Sequence, residues 1–81
     1  MAAFVYVLLS TKKPKRTYVG WTLDLERRVA QHNGAAGGAK FTRGGAWVLI
    51  YAERHRTRNG AMRREVRLKR DKLFRALLRE H

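Results

Sequence analysis

The run AFVYVLL, Ala3 to Leu9, limits the fold more than any other stretch of this chain. It is apolar without alternation and rich in β-branched and aromatic residues, the pattern of a strand covered on both faces. It is far shorter than the ~20 residues of a membrane span, and no basic segment precedes it, so neither spanning nor export is expected. A strand buried on both faces demands a sheet with covering layers above and below. The 81 residues must supply these within one small domain, 1–81, because a chain of this size buries only about 60% of its unfolded surface.

The remaining elements follow from turn and cap signals. STKKPKR breaks the first strand with Pro14, and RTYVGW, Arg16 to Trp21, resumes strand character, so an antiparallel hairpin that brings Tyr6 near Tyr18 is the simplest join. Thr22 is read as the N-cap of a helix running to about Asn33, with Asp24 and Glu26 at its positive end and Gly34 ending it. NGAAGGAK reads as a glycine-rich loop, and AWVLIYAE, Ala46 to Glu53, as a third strand. A helix from about Asn59 places Ala61, Met62, Val66, Leu68 and Leu73 in one apolar sector. Asp71 caps a last helix packed through Leu73, Phe74, Leu77 and Leu78. The expected fold is a small α/β sandwich in the order strand-strand-helix-strand-helix-helix, with a three-stranded, mostly antiparallel sheet.

Charge narrows the function. Nineteen Lys and Arg against six Asp and Glu leave a net charge of +13, an excess that opposes compaction unless a polyanion uses it, so nucleic acid is the expected partner. The absence of cysteine excludes disulfides and thiolate metal sites and fits a cytoplasmic location.

The six acids can be taken one by one. Asp24, Glu26 and Asp71 suit helix starts, Glu80 is near the C-terminus and Glu53 ends a strand. Glu65 is left: at 100° per residue it projects between Ala61 and Met62 in the apolar sector, where a carboxylate needs a partner, either Lys69 at i+4 or a cation. In the first helix Leu25 and Val29 mark the inward face, Arg28 and His32 share one edge of it, and Arg27 points away. An arginine there can present a planar fork to phosphate, and a histidine one turn on can move a proton.

Together these residues resemble the GIY-YIG nuclease superfamily, in particular its small stand-alone bacterial members. The first motif reads Phe4-Val5-Tyr6 and the second Tyr18-Val19-Gly20, with eleven residues between the tyrosines, and WTLDLERRVAQHN continues in the family's form. KFTR and REVRLKR extend the resemblance over essentially the whole chain. It implies that Tyr6, Tyr18, Arg28 and His32 occupy active-site positions and that Glu65 stands at the metal-binding glutamate. Two departures are visible: Phe4 replaces the first glycine, and no asparagine follows Asn59, the position near Leu77 where many members carry one.

The reaction so implied is in-line hydrolysis of a DNA phosphodiester by water, structure-selective or non-specific and linked to repair or processing, with RNA an open alternative. One Mg²⁺ or Mn²⁺ would be held by Glu65 and otherwise by water and phosphate oxygens, an arrangement natural to a hard ion that dehydrates reluctantly. Either Tyr6 or Tyr18 would take the water's proton, with neighbouring cations expected to lower the phenol pKa. Lys12, Lys13, Lys15 and Arg16 of the first turn, Lys40 and Arg43 of the loop, and Gly20 and Lys69 beside the site are the expected nucleic-acid contacts. The rival readings are a binding module without catalysis and a catalytic subunit that needs a protein partner.

Overall fold

A computed structural model describes residues 2–34 and 46–80. The elements are β1 (Ala3–Ser10), β2 (Thr17–Thr22), α1 (Leu25–His32), β3 (Trp47–His55), α2 (Arg58–Arg70) and α3 (Lys72–Arg79). The strand order is β2-β1-β3 and both pairings are antiparallel, so the sheet is wholly rather than mostly antiparallel. The unbroken apolar run of β1 is thereby explained, because this strand is central and covered on both sides.

Side-chain alternation along β1 divides the core into two layers. Tyr6 and Leu8 point to one face with Trp47, where Leu25 and Val29 of α1 pack on them. Ala3, Val5 and Val7 point to the other, against Ala61 and Leu68 of α2 and Phe74 and Leu78 of α3. Pairing of Tyr6 with Gly20 and of Leu8 with Tyr18 puts those β2 residues on the α1 face, while Val19 joins the α2 layer.

Several local expectations are corrected. Asp24, not Thr22, caps α1, its carboxylate accepting from the Arg27 amide at 3.1 Å. The Thr22 hydroxyl instead accepts from the Asp24 amide at 3.1 Å and so shapes the turn before the cap. α2 starts at Arg58 behind a Thr57 cap. Its apolar sector is only partly buried: Ala61 and Leu68 are inaccessible, whereas Met62 and Val66 are 45% and 47% exposed. On α3, Leu73 and Leu77 are likewise exposed while Phe74 and Leu78 pack inward. The physical reason is width: three strands span roughly 10 Å between the outer two, too little to cover the full apolar sectors of two helices on one face.

Two polar clusters hold the layers in register. Asn33, the C-cap of α1, donates to the Trp47 carbonyl at 2.8 Å and accepts from the Trp47 amide at 2.7 Å, fastening the helix end to the start of β3. On the opposite face, Arg64 of α2 makes three bonds of 2.9–3.0 Å to the Glu53 carboxylate. Glu53 also takes the Tyr51 hydroxyl and a 3.0 Å bond from His55. These contacts lower the Glu53 pKa to about 2 against the opposing effect of burial. Neither cluster was legible in the sequence, where Asn33 reads only as a helix end and Glu53 as a strand end.

Candidate active site at the edge strand

The site grows from a glycine. An ideal Cβ at Gly20 would lie 2.5 Å from the Tyr6 hydroxyl and 2.7 Å from its Cζ, so only glycine lets the Tyr6 ring lie across β2 toward the sheet edge. Gly20 is itself buried. It thus serves the site by making room for a side chain, and not as the surface contact to nucleic acid that was expected of it.

The Tyr6 hydroxyl is hydrogen-bonded to His32 Nε2 at 2.8 Å, and both residues are inaccessible to solvent. Tyr18 completes an aromatic cluster, its ring centroid 4.7 Å from that of His32 and 6.4 Å from that of Tyr6. Half-buried Arg28 donates to Gln31 Oε1 at 3.0 Å and lies close enough to act electrostatically on both Tyr6 and His32. Burial, with Arg28 adding to it, depresses the His32 pKa to about 4, so the imidazole is neutral at pH 7. Burial also pushes Tyr6 up to about 12, with the neighbouring Tyr18 and Glu65 acting in the same direction and Arg28 against it. Arg28 does act to lower the Tyr6 pKa, as expected of a nearby cation, but desolvation outweighs this one guanidinium.

Glu65 belongs to α2, in the other layer. Its side chain is 19% exposed and pairs with Lys69 Nζ at 3.6 Å, the i,i+4 contact foreseen, and its charge is felt at Tyr6. No group of three His, Asp or Glu side chains gathers among the described residues, which does not fit a structural zinc site. A single, partly accessible carboxylate does fit a Mg²⁺-like ion, which keeps several waters and takes its remaining ligands from phosphate.

The other expected residues divide. Lys12, Lys13, Lys15 and Arg16 are exposed on the turn that leads into Thr17 and Tyr18, and Lys69 lines a groove with Tyr18. Lys40 and Arg43 lie outside the described residues. Arg27 is exposed yet lines the same groove as Arg28, together with Trp21 and Gln31. Its exposure beside half-buried Arg28 agrees with the expectation that it points away from the inward face of α1. Leu77, at the position of the absent asparagine, is exposed. Among the described residues no helix is long and apolar enough to cross a membrane.

The chain belongs to the GIY-YIG family: the model of the GIY-YIG catalytic domain matches residues 2–76. It is similar to the UPF0213 protein of Natronomonas pharaonis, 43% identical over 70 residues, or 85% of this chain and 81% of that one. A solution NMR structure of a UPF0213 protein from Bacillus halodurans matches 99% of this chain and 84% of its own, with 32% identity and a TM-score of 0.55. A shorter match, 54% over 41 residues, covers 48% of this chain and 14% of the structure-specific endonuclease subunit SLX1 of Candida dubliniensis.

Proposed function

We propose that this protein is a metal-dependent endonuclease that hydrolyses phosphodiester bonds in DNA, with selectivity for structure rather than sequence. The observation that carries this reading is the cluster of Tyr18 with the Tyr6–His32 pair, with Arg28 and Glu65 both near enough to act electrostatically on Tyr6. The net charge of +13 and the match to a structure-specific endonuclease subunit support DNA as substrate. The word subunit in that relative's name also supports dependence on a protein partner.

In this reading Arg28 binds the phosphate and stabilises the charge that grows on it. Tyr6 is a poor acceptor for the water's proton, since it is buried, bonded to His32 and pushed up to about 12. Tyr18 is half-buried and lines a groove with Lys69, which supports it as the residue that orients the water and takes its proton. His32 is neutral and holds the Tyr6 ring, against which the aromatic cluster is set. Glu65 would hold a Mg²⁺ or Mn²⁺ ion, which when bound offsets charge on the leaving oxygen.

The test is nicking of supercoiled plasmid and cleavage of branched DNA with and without Mn²⁺, for wild type, Tyr18→Phe, Arg28→Ala and Glu65→Gln. Wild type should cleave only with the metal. Arg28→Ala and Glu65→Gln should lose cleavage, with Glu65→Gln binding DNA as well or better because a negative charge facing phosphate has gone. Unchanged nicking by Glu65→Gln would reduce Glu65 to half of a helix ion pair. A wild type inert on every substrate would leave a binding module or a partner-dependent subunit.

A further inference from the structure

Arg75 of α3 holds an unusual position. One guanidinium nitrogen donates to Thr17 Oγ1 at 3.2 Å and another to the Lys69 carbonyl at 2.7 Å, which ties α3 to the start of β2 and to the end of α2. Its Nε is buried with no hydrogen-bond partner, and among the described residues no carboxylate pairs with it. A half-buried cation without a counter-charge is costly unless an anion from outside completes it.

Arg75 is also the wall shared by two grooves. The first is lined by Thr17, Tyr18, Val19, Lys69 and Arg75 and opens beside the candidate active site. The second continues from Thr17 and Arg75 to Lys72, Ala76 and Arg79. Among the described residues no acid lines either groove. Lys72, Arg75 and Arg79 stand at i, i+3 and i+7, in a stripe of α3 that flanks its half-buried Phe74 and Leu78. Seven residues of helix span roughly 10 Å, the rise of about three phosphates of one strand at 3.4 Å each.

We propose that this track, from Lys69 past Arg75 to Lys72 and Arg79, binds the sugar–phosphate backbone of the DNA strand as it leaves the active site over the edge of β2. The inference rests on the nuclease reading only for the word leaves; the track itself is a statement about binding. Lys69 takes the phosphate nearest Tyr18, the remaining N–H groups on the two terminal nitrogens of Arg75 take the next, and the exposed Lys72 and Arg79 carry the strand along α3. The three-stranded sheet, too small for a deep cleft, thus gains its strand path from the last helix of the fold.

The experiment is fluorescence anisotropy with a short labelled single strand and a short labelled duplex, in chelator so that no cleavage intervenes, across a salt series. Two double variants remove the same charge from exposed residues: Lys72→Ala with Arg79→Ala on the track, and Arg54→Ala with Arg56→Ala at the opposite edge of the sheet, where a separate groove contains them. The track variant should bind at least about tenfold more weakly at low salt, with the slope of log K against log salt reduced by about 1.4 to 1.8, as expected for two lost phosphate contacts. The far-edge variant should keep most of the wild-type slope. Equal losses from the two variants would overturn the track, as would a wild type that binds neither probe. Selective loss on the track together with a wild type that never nicks would keep the track and overturn the nuclease reading. Nicking with equal losses would do the reverse.

Discussion

Gly20→Ala offers the sharpest test of how the edge strand builds the site, because its expected sign is opposite to the usual one. A glycine inside a strand is normally a weakness, and alanine at a compatible position stabilises by about 0.4–1 kcal/mol through the unfolded chain. Here the new methyl would stand 2.5 Å from the Tyr6 hydroxyl, 2.7 Å from Cζ and 3.1 Å from Cε2. The ring cannot swing away freely, since Tyr6 is 1% exposed and bonded to a fully buried His32. Overpacking costs about 1–3 kcal/mol, and displacing the hydroxyl from His32 adds about 1 kcal/mol. The substitution should therefore destabilise by about 2–4 kcal/mol, and a fall of at least about 8 °C in melting temperature is expected for a domain of this size. The assay is urea and thermal unfolding of a double-mutant cycle with Tyr6→Ala. In the Tyr6→Ala background the clash has no partner, and Gly20→Ala should become neutral or stabilising. A cost of the same size in both backgrounds would refute the reasoning and assign Gly20 to backbone conformation or to another contact.

Acid should destabilise the fold in two stages. His32 is held at about 4 when folded against 6.5 in the free side chain, so the unfolded chain binds the proton first, and about 3 kcal/mol is lost as pH falls from about 6.5 to 4. His32→Gln, which keeps a hydrogen-bonding group but does not titrate, should flatten that limb in urea midpoints measured against pH. A second loss, below about pH 4.5, follows protonation of Glu53, whose folded pKa is about 2, and should vanish in Glu53→Gln. A double-mutant cycle of Glu53→Gln with Arg64→Met should give a coupling of only about 1 kcal/mol, because both side chains retain solvent contact. Asn33→Ala should cost about 1–3 kcal/mol by leaving both backbone groups of buried Trp47 without their partners; a change below about 0.5 kcal/mol in urea unfolding would mean that water replaces them.

What the sequence determined by itself was whatever depends on neighbours along the chain. The unbroken run of β1, the short polar join to β2, the Asp71 cap and the glycine after α1 are local signals, and the element order follows from them. Helical spacing alone put Arg28 beside His32 and Lys69 within reach of Glu65. Tertiary structure decided the rest, because those properties depend on which surfaces meet. Burial in the α1 layer raised Tyr6 instead of letting cations lower it, and the narrow sheet left Met62, Val66, Leu73 and Leu77 outside. The close approach of Tyr6 turned Gly20 from an apparent surface contact into the space on which the site depends. The Asn33–Trp47 clamp, the Glu53–Arg64 pair and the Arg75–Thr17 bond join residues 11 to 58 positions apart. No periodicity within one element can foretell such pairs, since only the packing of one layer on another brings them together.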